Sequence, residues 1–277
     1  MIRSQTHEPD TIRGLKRGLQ VMQVLQTSSI ASLNDIHRAT HISKPSLLRI
    51  LKTLEQAGIV SRRLADGHYR LSALTRVGRK PDAYDRVAEA AAPVLDRLCQ
   101  KVKWPSDLLV PAGNHMERRE TSRALSPFVI PSHFHTTREI GTKVNWLLTA
   151  VGRSYLAFCP AAERQRILER LRGSDKPEDR LARDPKRFEQ ILAGTRARGF
   201  AVRDRNFVGG PYGTPPHDDG LAGMAIPLQD GNRVYGSINI LWIKSAFTVE
   251  EFAAQHLSDL RAAGREIVNS LKPRVRP

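Results

Sequence analysis

Forty residues, Ala31 to Arg70, constrain the fold of this 277-residue chain more than any other stretch. They read ASLNDIHRAT, then HISKPSLLRILKTLEQAG, then IVSRRLADGHYR, the order of helix, tight turn, second helix and two-stranded wing. In the second helix Ser43 is the expected N-cap, Pro45 falls in the first turn where its missing N–H costs little, and Gly58 marks the C-terminal stop. Leu47, Ile50, Leu51 and Leu54 follow i, i+3, i+4, i+7 spacing and predict one core-facing stripe. Pro45, Arg49, Lys52 and Gln56 centre the opposite face, flanked by Lys44 and Ser46. A helix with cations and hydrogen-bonding groups on its wet face suits the major groove of duplex DNA, where some side chains reach base edges and others hold phosphates.

The neighbouring segments agree. Leu33, Ile36 and Ala39 give the preceding helix its own short apolar stripe, and His41-Ile42 is a connection short enough to cross the two helices sharply. Beyond Gly58, residues 59–64 and 68–71 alternate around Ala65-Asp66-Gly67, a strong hairpin signal. Arg62, Arg63, His68 and Arg70 lie on this ribbon and are expected along the phosphate backbone. Upstream, Leu15, Leu19, Met22 and Leu25 space the apolar face of an opening helix, and Arg13 and Arg17 at its start either touch phosphates or simply solubilise it.

Charge follows the same division. The chain is formally +16, but residues 1–80 hold 14 Lys and Arg against five Asp and Glu, a surplus of +9, leaving +7 for the other 197 residues. Cationic density therefore peaks where the DNA-reading pattern lies. No run of 18 apolar residues occurs and no signal-peptide stretch opens the chain, so a cytoplasmic protein without a membrane partner is expected. Cys99 and Cys159 stand apart and are expected as reduced thiols.

Taken in order, GLKRGLQVMQVLQ, SLNDIHRATHISKPSLLRILKTLEQAGIV and DGHYRLS resemble the amino-terminal domain of IclR-type bacterial transcriptional regulators. LTAVGRSYLAF at 148–158, ARGFAVRD at 197–204 and GLAGMAIPLQDGNRVYGSINI at 220–240 are similar to landmarks of that family's effector domain. Two residues depart from the pattern, both in the second helix: Pro45, where a small hydroxyl is frequent, and Leu48, where a polar side chain is. The resemblance implies an α+β plan, with a winged helix-turn-helix joined by a linker helix to a GAF/PAS-like antiparallel-sheet domain enclosing a small-molecule pocket. The expected bounds are a disordered arm at 1–11, the DNA-binding domain at 12–80, the linker at 81–92 and the effector domain at 93–272.

The residues beyond the wing fit such a plan. Ala83 to Lys103 reads as helix, with Pro93 expected to kink or split it. Residues 106–111, 117–123, 200–203, 223–228 and 233–242 read as strands, residues 161–171 and 185–197 as helices, and Thr248 with Glu251 opens a long C-terminal helix. By resemblance, the effector would meet Leu147, Leu148, Ala150 and Gly152 at a helix start, then Gly223, Ser237 and Asn239 on facing strands. Gly152 there either lets a carboxylate approach backbone N–H groups or serves close packing. Ser237 and Asn239 share one strand face, as a ligand wall or a solvated face would. Trp146 and Trp242 either stack on an aromatic effector or fill the core. The Gly/Pro-rich segment 209–220 is expected to be a loop at the site.

Catalytic patterns are missing: Gly152-Arg153-Ser154-Tyr155-Leu156 lacks the second glycine of a nucleophile elbow, and Gly209-Gly210-Pro211-Tyr212-Gly213 lacks the lysine and hydroxyl of a phosphate loop. His133 and His135 lack a nearby Cys or carboxylate at metal-ligand spacing. The expectation is a non-enzymatic regulator of a catabolic operon, without cofactor or metal. Its partners would be double-stranded operator DNA, a small organic acid, a second copy or a dimer of dimers, and RNA polymerase if it activates. The effector part is most similar to the branch controlling catabolism of aromatic acids such as phenylpropionates. An enzyme or binding module tethered to DNA, and a constitutive repressor with a vestigial sensor, remain alternatives.

Overall fold

The structure, a computed structural model, describes residues 12–73, 75, 84–128, 140–215 and 218–272. The arm at 1–11 and the His133/His135 pair lie outside the described residues. Contacts separate the chain into two compact units, one built on the first three helices and the two strands that follow them, and one on the remaining helices and strands.

The first unit holds α1 (Arg13–Ser28), α2 (Leu33–Thr40), α3 (Lys44–Gln56), β1 (Val60–Arg62) and β2 (Tyr69–Leu71). Ser32 and Asp35 close a reciprocal capping box on α2, and those bonds lower the Asp35 carboxyl to about 2. His41 ends α2 in the left-handed region at φ 55°, and α3 starts three residues later. Ser43 precedes α3, yet its hydroxyl donates to Ser46 Oγ at 3.0 Å instead of capping the helix, a correction to the expected cap. Leu47 and Leu51 are fully buried with Val21, Leu25, Ile36, Val60, Tyr69 and Leu71, while Ile50 and Leu54 pack at the edge of that core.

The face of α1 also needs correction. Leu15 and Leu19 are exposed, and Val21 and Leu25 are the buried positions. Only the C-terminal turns of α1 join the core, so spacing drawn through the whole helix selects the wrong face at its start. In the wing, Val60↔Leu71, Ser61↔Arg70 and Arg62↔Tyr69 are paired, and Gly67, at φ 70°, turns the chain between short strands.

In the second unit the described strands form an antiparallel sheet in the order β5-β4-β3-β8-β7-β6. They are β3 (Asp107–Ala112), β4 (His115–Thr121), β5 (Lys143–Val144), β6 (Ala201–Val202), β7 (Leu221–Asp230) and β8 (Arg233–Ile243). Helices α4 (Asp85–Val102) and α8 (Val249–Leu271) cover one face; α5 (Ala150–Phe158), α6 (Ala161–Arg172) and α7 (Pro185–Arg198) belong to the core of the other. Period two sorts the strands between these cores. Leu108, Val110, Met224, Ile226, Ile238, Ile240 and Trp242 pack with α4 and α8, whereas Leu109, Ala225 and Val234 pack with α5.

Helix α4 runs through Pro93 as one element, contrary to the expected split. Pro93 is on its exposed side, and Ala91, Ala92, Val94 and Leu95 continue the buried stripe across it, so packing keeps both halves in line. Thr248 and Glu251 form the capping box that opens α8. Among the described residues no helix is long and apolar enough to cross a membrane.

Candidate functional site

On the first unit Lys44, Pro45, Arg49 and Lys52 are exposed along α3, with Ser46 half-buried beside them. Arg13 is exposed and Arg17 half-buried in the first turns of α1. On the wing, Arg62 is exposed; its Nε donates to the Gly67 carbonyl at 3.2 Å and its guanidinium lies 5.7 Å from the Tyr69 ring centroid. Arg63 and His68 are half-buried. Arg70 departs from expectation: it is only 8% exposed, because its strand position faces Ser61, whose Oγ accepts from its Nε at 3.2 Å. It stiffens the ribbon from within, so it is removed from the expected phosphate contacts.

The second unit encloses a cavity of about 90 Å³. Its sheet wall is built by one parity of each strand: Asp107 and Leu109 on β3, Leu221 and Gly223 on β7, Asn239 and Leu241 on β8, with Arg118 reaching in from β4. Thr149, Ala150 and Val151 at the start of α5 face them, and the loop residues Phe207, Gly210, Pro211 and Asp219 complete the wall with Arg123 and Arg203.

Several charged side chains meet at the wall of this cavity. Asp107 is 1% exposed, accepts from Arg123 Nη2 at 2.8 Å and Thr121 Oγ1 at 2.6 Å, and lies 3.4 Å from Arg118 Nε. Burial pushes its carboxyl up, but Arg118 and Arg123 together outweigh burial and hold it well below the usual carboxylate range. Burial lowers Arg118 to about 10 against the attraction of Asp107. Arg203 pairs with Asp219 at 2.9 Å and lies 4.7 Å from the Phe207 ring centroid. Its buried Nε has no hydrogen-bond partner among the described residues. Asn239 accepts the Asp107 backbone N–H on its Oδ1 at 2.7 Å, which leaves its amide NH₂ as the donor end. Among the described residues, three guanidiniums, those of Arg118, Arg123 and Arg203, thus meet at this wall with Asp107 and Asp219.

Of the effector residues expected from resemblance, Ala150, Gly223 and Asn239 line this cavity. Leu148 lines an adjoining cavity walled by the 206–215 loop. The others are corrected. Trp242 has the opposite strand parity; it is fully buried, stacked on Phe252 at 3.9 Å, and donates Nε1–H to the Phe247 carbonyl. Trp146 and Leu147 are fully buried in the α5 core, and Trp146 Nε1 donates to the Gly113 carbonyl at 3.2 Å. Ser237 is fully buried outside the cavity wall.

Gly152 serves close packing. A Cβ there would stand 2.1 Å from the Trp146 carbonyl oxygen, and its N–H is already taken by Thr149 Oγ1 at 3.2 Å, so it offers no anion cradle. The loop beyond Phe207 is tied down by Tyr212, whose hydroxyl donates to Asp179 Oδ2 at 2.6 Å.

Asp107, Arg118, Arg123, Arg203 and Asp219 were missed by sequence reading. The available signal was parity, since Asp107 shares a strand face with Leu109, and Arg118 is paired with Leu109 across the sheet.

Comparison with known proteins matches both units to one family. The model of the IclR helix-turn-helix domain matches residues 14–64, and that of the bacterial transcriptional regulator IclR C-terminal domain matches residues 83–269. A probable transcriptional regulator, SauR, of Cupriavidus necator is 25% identical over 92% of this chain and 95% of its own length. The Pca regulon regulatory protein of Pseudomonas putida is 24% identical over 98% of this chain and 88% of its own. The crystal structure of an IclR homolog complexed with 4-hydroxybenzoate from Microbacterium hydrocarbonoxydans shares the fold at TM-score 0.50 and 20% identity, covering 93% of this chain and 98% of that one.

Proposed function

The chain belongs to the IclR family of bacterial transcriptional regulators, and from that premise we propose that it controls a catabolic operon in response to a small organic acid bound in the sheet-α5 cavity. The observation that carries this reading is the set of arginines on the cavity wall, with the Arg203 Nε lacking a hydrogen-bond partner among the described residues. A buried guanidinium N–H without an acceptor is costly, so a carboxylate that accepts from it is bound more strongly than in water. The cavity of about 90 Å³ is several times the roughly 10–15 Å³ that admits a single water. That suits a short aliphatic acid or a single-ring aromatic one, the class to which the 4-hydroxybenzoate of the Microbacterium homolog complex belongs.

On the DNA side, Lys44, Pro45, Ser46, Arg49 and Lys52 bring α3 into the major groove, Lys44 and Lys52 toward the phosphates at its edge, while Arg62, Arg63, His68, Arg13 and Arg17 hold phosphates along the backbone. The DNA-binding domain spans residues 12–80, residues 81–92, with the first part of α4, supply the linker, and the effector domain spans residues 93–272. The chain works as a homodimer or a dimer of dimers on a two-fold-related operator, and contacts RNA polymerase where it activates.

Enrichment of duplexes from a random pool by the full chain, followed by binding titrations, tests this reading. Arg49→Ala is expected to lower affinity for the enriched sequence by about 1–3 kcal/mol and to relax preference at one base pair. Unchanged affinity and preference would take Arg49 out of the readout, and failure of any sequence to enrich would sink the regulator reading itself.

A further inference from the structure

Four of the five large aliphatic side chains of α3 are explained by packing: Leu47 and Leu51 are fully buried, and Ile50 and Leu54 lie against the same core. Leu48 is the exception. It is 48% exposed and stands outside that core. At 3.6 residues per turn, Lys44 and Lys52 each lie about 40° from it around the helix, one turn before and one after. Arg49 follows it directly, and all three cations are exposed. Single exposed leucines are common on protein surfaces, but this one is ringed by the cations that would bring the helix to a polyanion. Against a duplex, an aliphatic side chain so placed finds one apolar group in the major groove, the C5 methyl of thymine.

We propose that Leu48 is a specificity-determining residue that selects thymine by packing on its C5 methyl, between cations that fix the helix on the flanking phosphates. The inference rests on the reading of the chain as a sequence-specific DNA-binding regulator. It assigns the two kinds of contact different consequences: Lys44 and Lys52 set affinity and its salt dependence, whereas Leu48 sets preference at one base pair and is insensitive to salt. Burying one methyl group is expected to be worth roughly fourfold in affinity.

Duplexes enriched from a random pool by the full chain supply the probe, and each thymine is replaced in turn by uracil, which lacks only the methyl. The wild-type chain should lose roughly fourfold at one thymine per half-site. Leu48→Ala should bind the thymine and uracil duplexes alike at that position, and Leu48→Met should keep the preference. The wild-type arm stands even if a variant fails to fold. Indifference of the wild-type chain to every uracil, or an enriched sequence without thymine, overturns the proposal. So does a Leu48→Ala chain that keeps full thymine preference, including one that instead changes oligomeric state. If no sequence enriches, the regulator reading fails and the proposal falls with it.

Discussion

Asp107→Asn is expected to destabilise the effector unit by about 3–5 kcal/mol, as removal of one partner from a buried ion pair does. Asp107 pairs with both Arg118 and Arg123, and all three side chains are less than a tenth exposed. An asparagine keeps the shape and one acceptor but removes the negative charge that both guanidiniums share. Chemical denaturation at neutral pH measures this directly. The pH dependence gives a second signature. Because the native carboxyl is held below its ordinary value of 3.8, its contribution is complete above that value and is lost as pH falls through the lower native one. Wild-type stability should therefore lose this contribution only below about pH 4, and the asparagine variant should lack that share of the acid limb. A loss under about 1 kcal/mol would mean that the arginines are compensated elsewhere.

The second large effect belongs to Trp242. Trp242→Ala should cost about 3–5 kcal/mol in unfolding free energy, the range for removing a large aromatic from a packed core. Phe252 stacks on the ring and Phe247 accepts its indole N–H, so truncation removes an aromatic contact and strands a carbonyl as well. The folded fraction should keep its affinity for a cavity-bound acid, since Trp242 lies on the opposite face of β8 from Asn239 and Leu241. A small stability loss with a large loss of acid binding would place the ring in the cavity instead.

Trp242 also shows where the sequence was legible and where it was not. Elements with strong periodicity or turn chemistry stood out: α3 from its i, i+3, i+4, i+7 leucines and isoleucine, the wing from Asp66-Gly67, β7 and β8 from Asp230-Gly231, and α8 from its capping box. The α+β plan followed from their order. What failed was the assignment of faces. Ser237 and Asn239 share a strand face, yet only Asn239 lines the cavity, and Trp242, for which stacking on an effector and a place in the core were both open, has the opposite parity. Arg70 looked like surface because it is an arginine on a hairpin, yet a three-residue strand pairs it with Ser61 and buries it.

The cavity charges were hidden for a related reason. Arg118, Arg123 and Arg203 are indistinguishable in sequence from the many solvated arginines of the chain, and only the sheet register brings them to Asp107 and Asp219. Gly152 was visible, but its role is a tertiary fact, the approach of the Trp146 carbonyl. Leu148 points into the neighbouring loop cavity for the same reason: its direction is set by the turn that Asn145 makes when its Oδ1 accepts the N–H groups of Leu147 and Leu148, both at 2.7 Å.

Most directly at stake is the coupling of an acid in the cavity to DNA binding by the other unit. Operator affinity, measured by titration of an enriched duplex with and without saturating benzoate, 4-hydroxybenzoate or short aliphatic acids, tests it in one assay. At least one of these acids should shift affinity by about 5–150-fold, a coupling of about 1–3 kcal/mol, and Arg203→Gln should keep the operator affinity while losing the shift. An acid that binds in an Arg203-dependent manner yet leaves operator affinity unchanged would contradict the account, as would a shift that persists undiminished in Arg203→Gln.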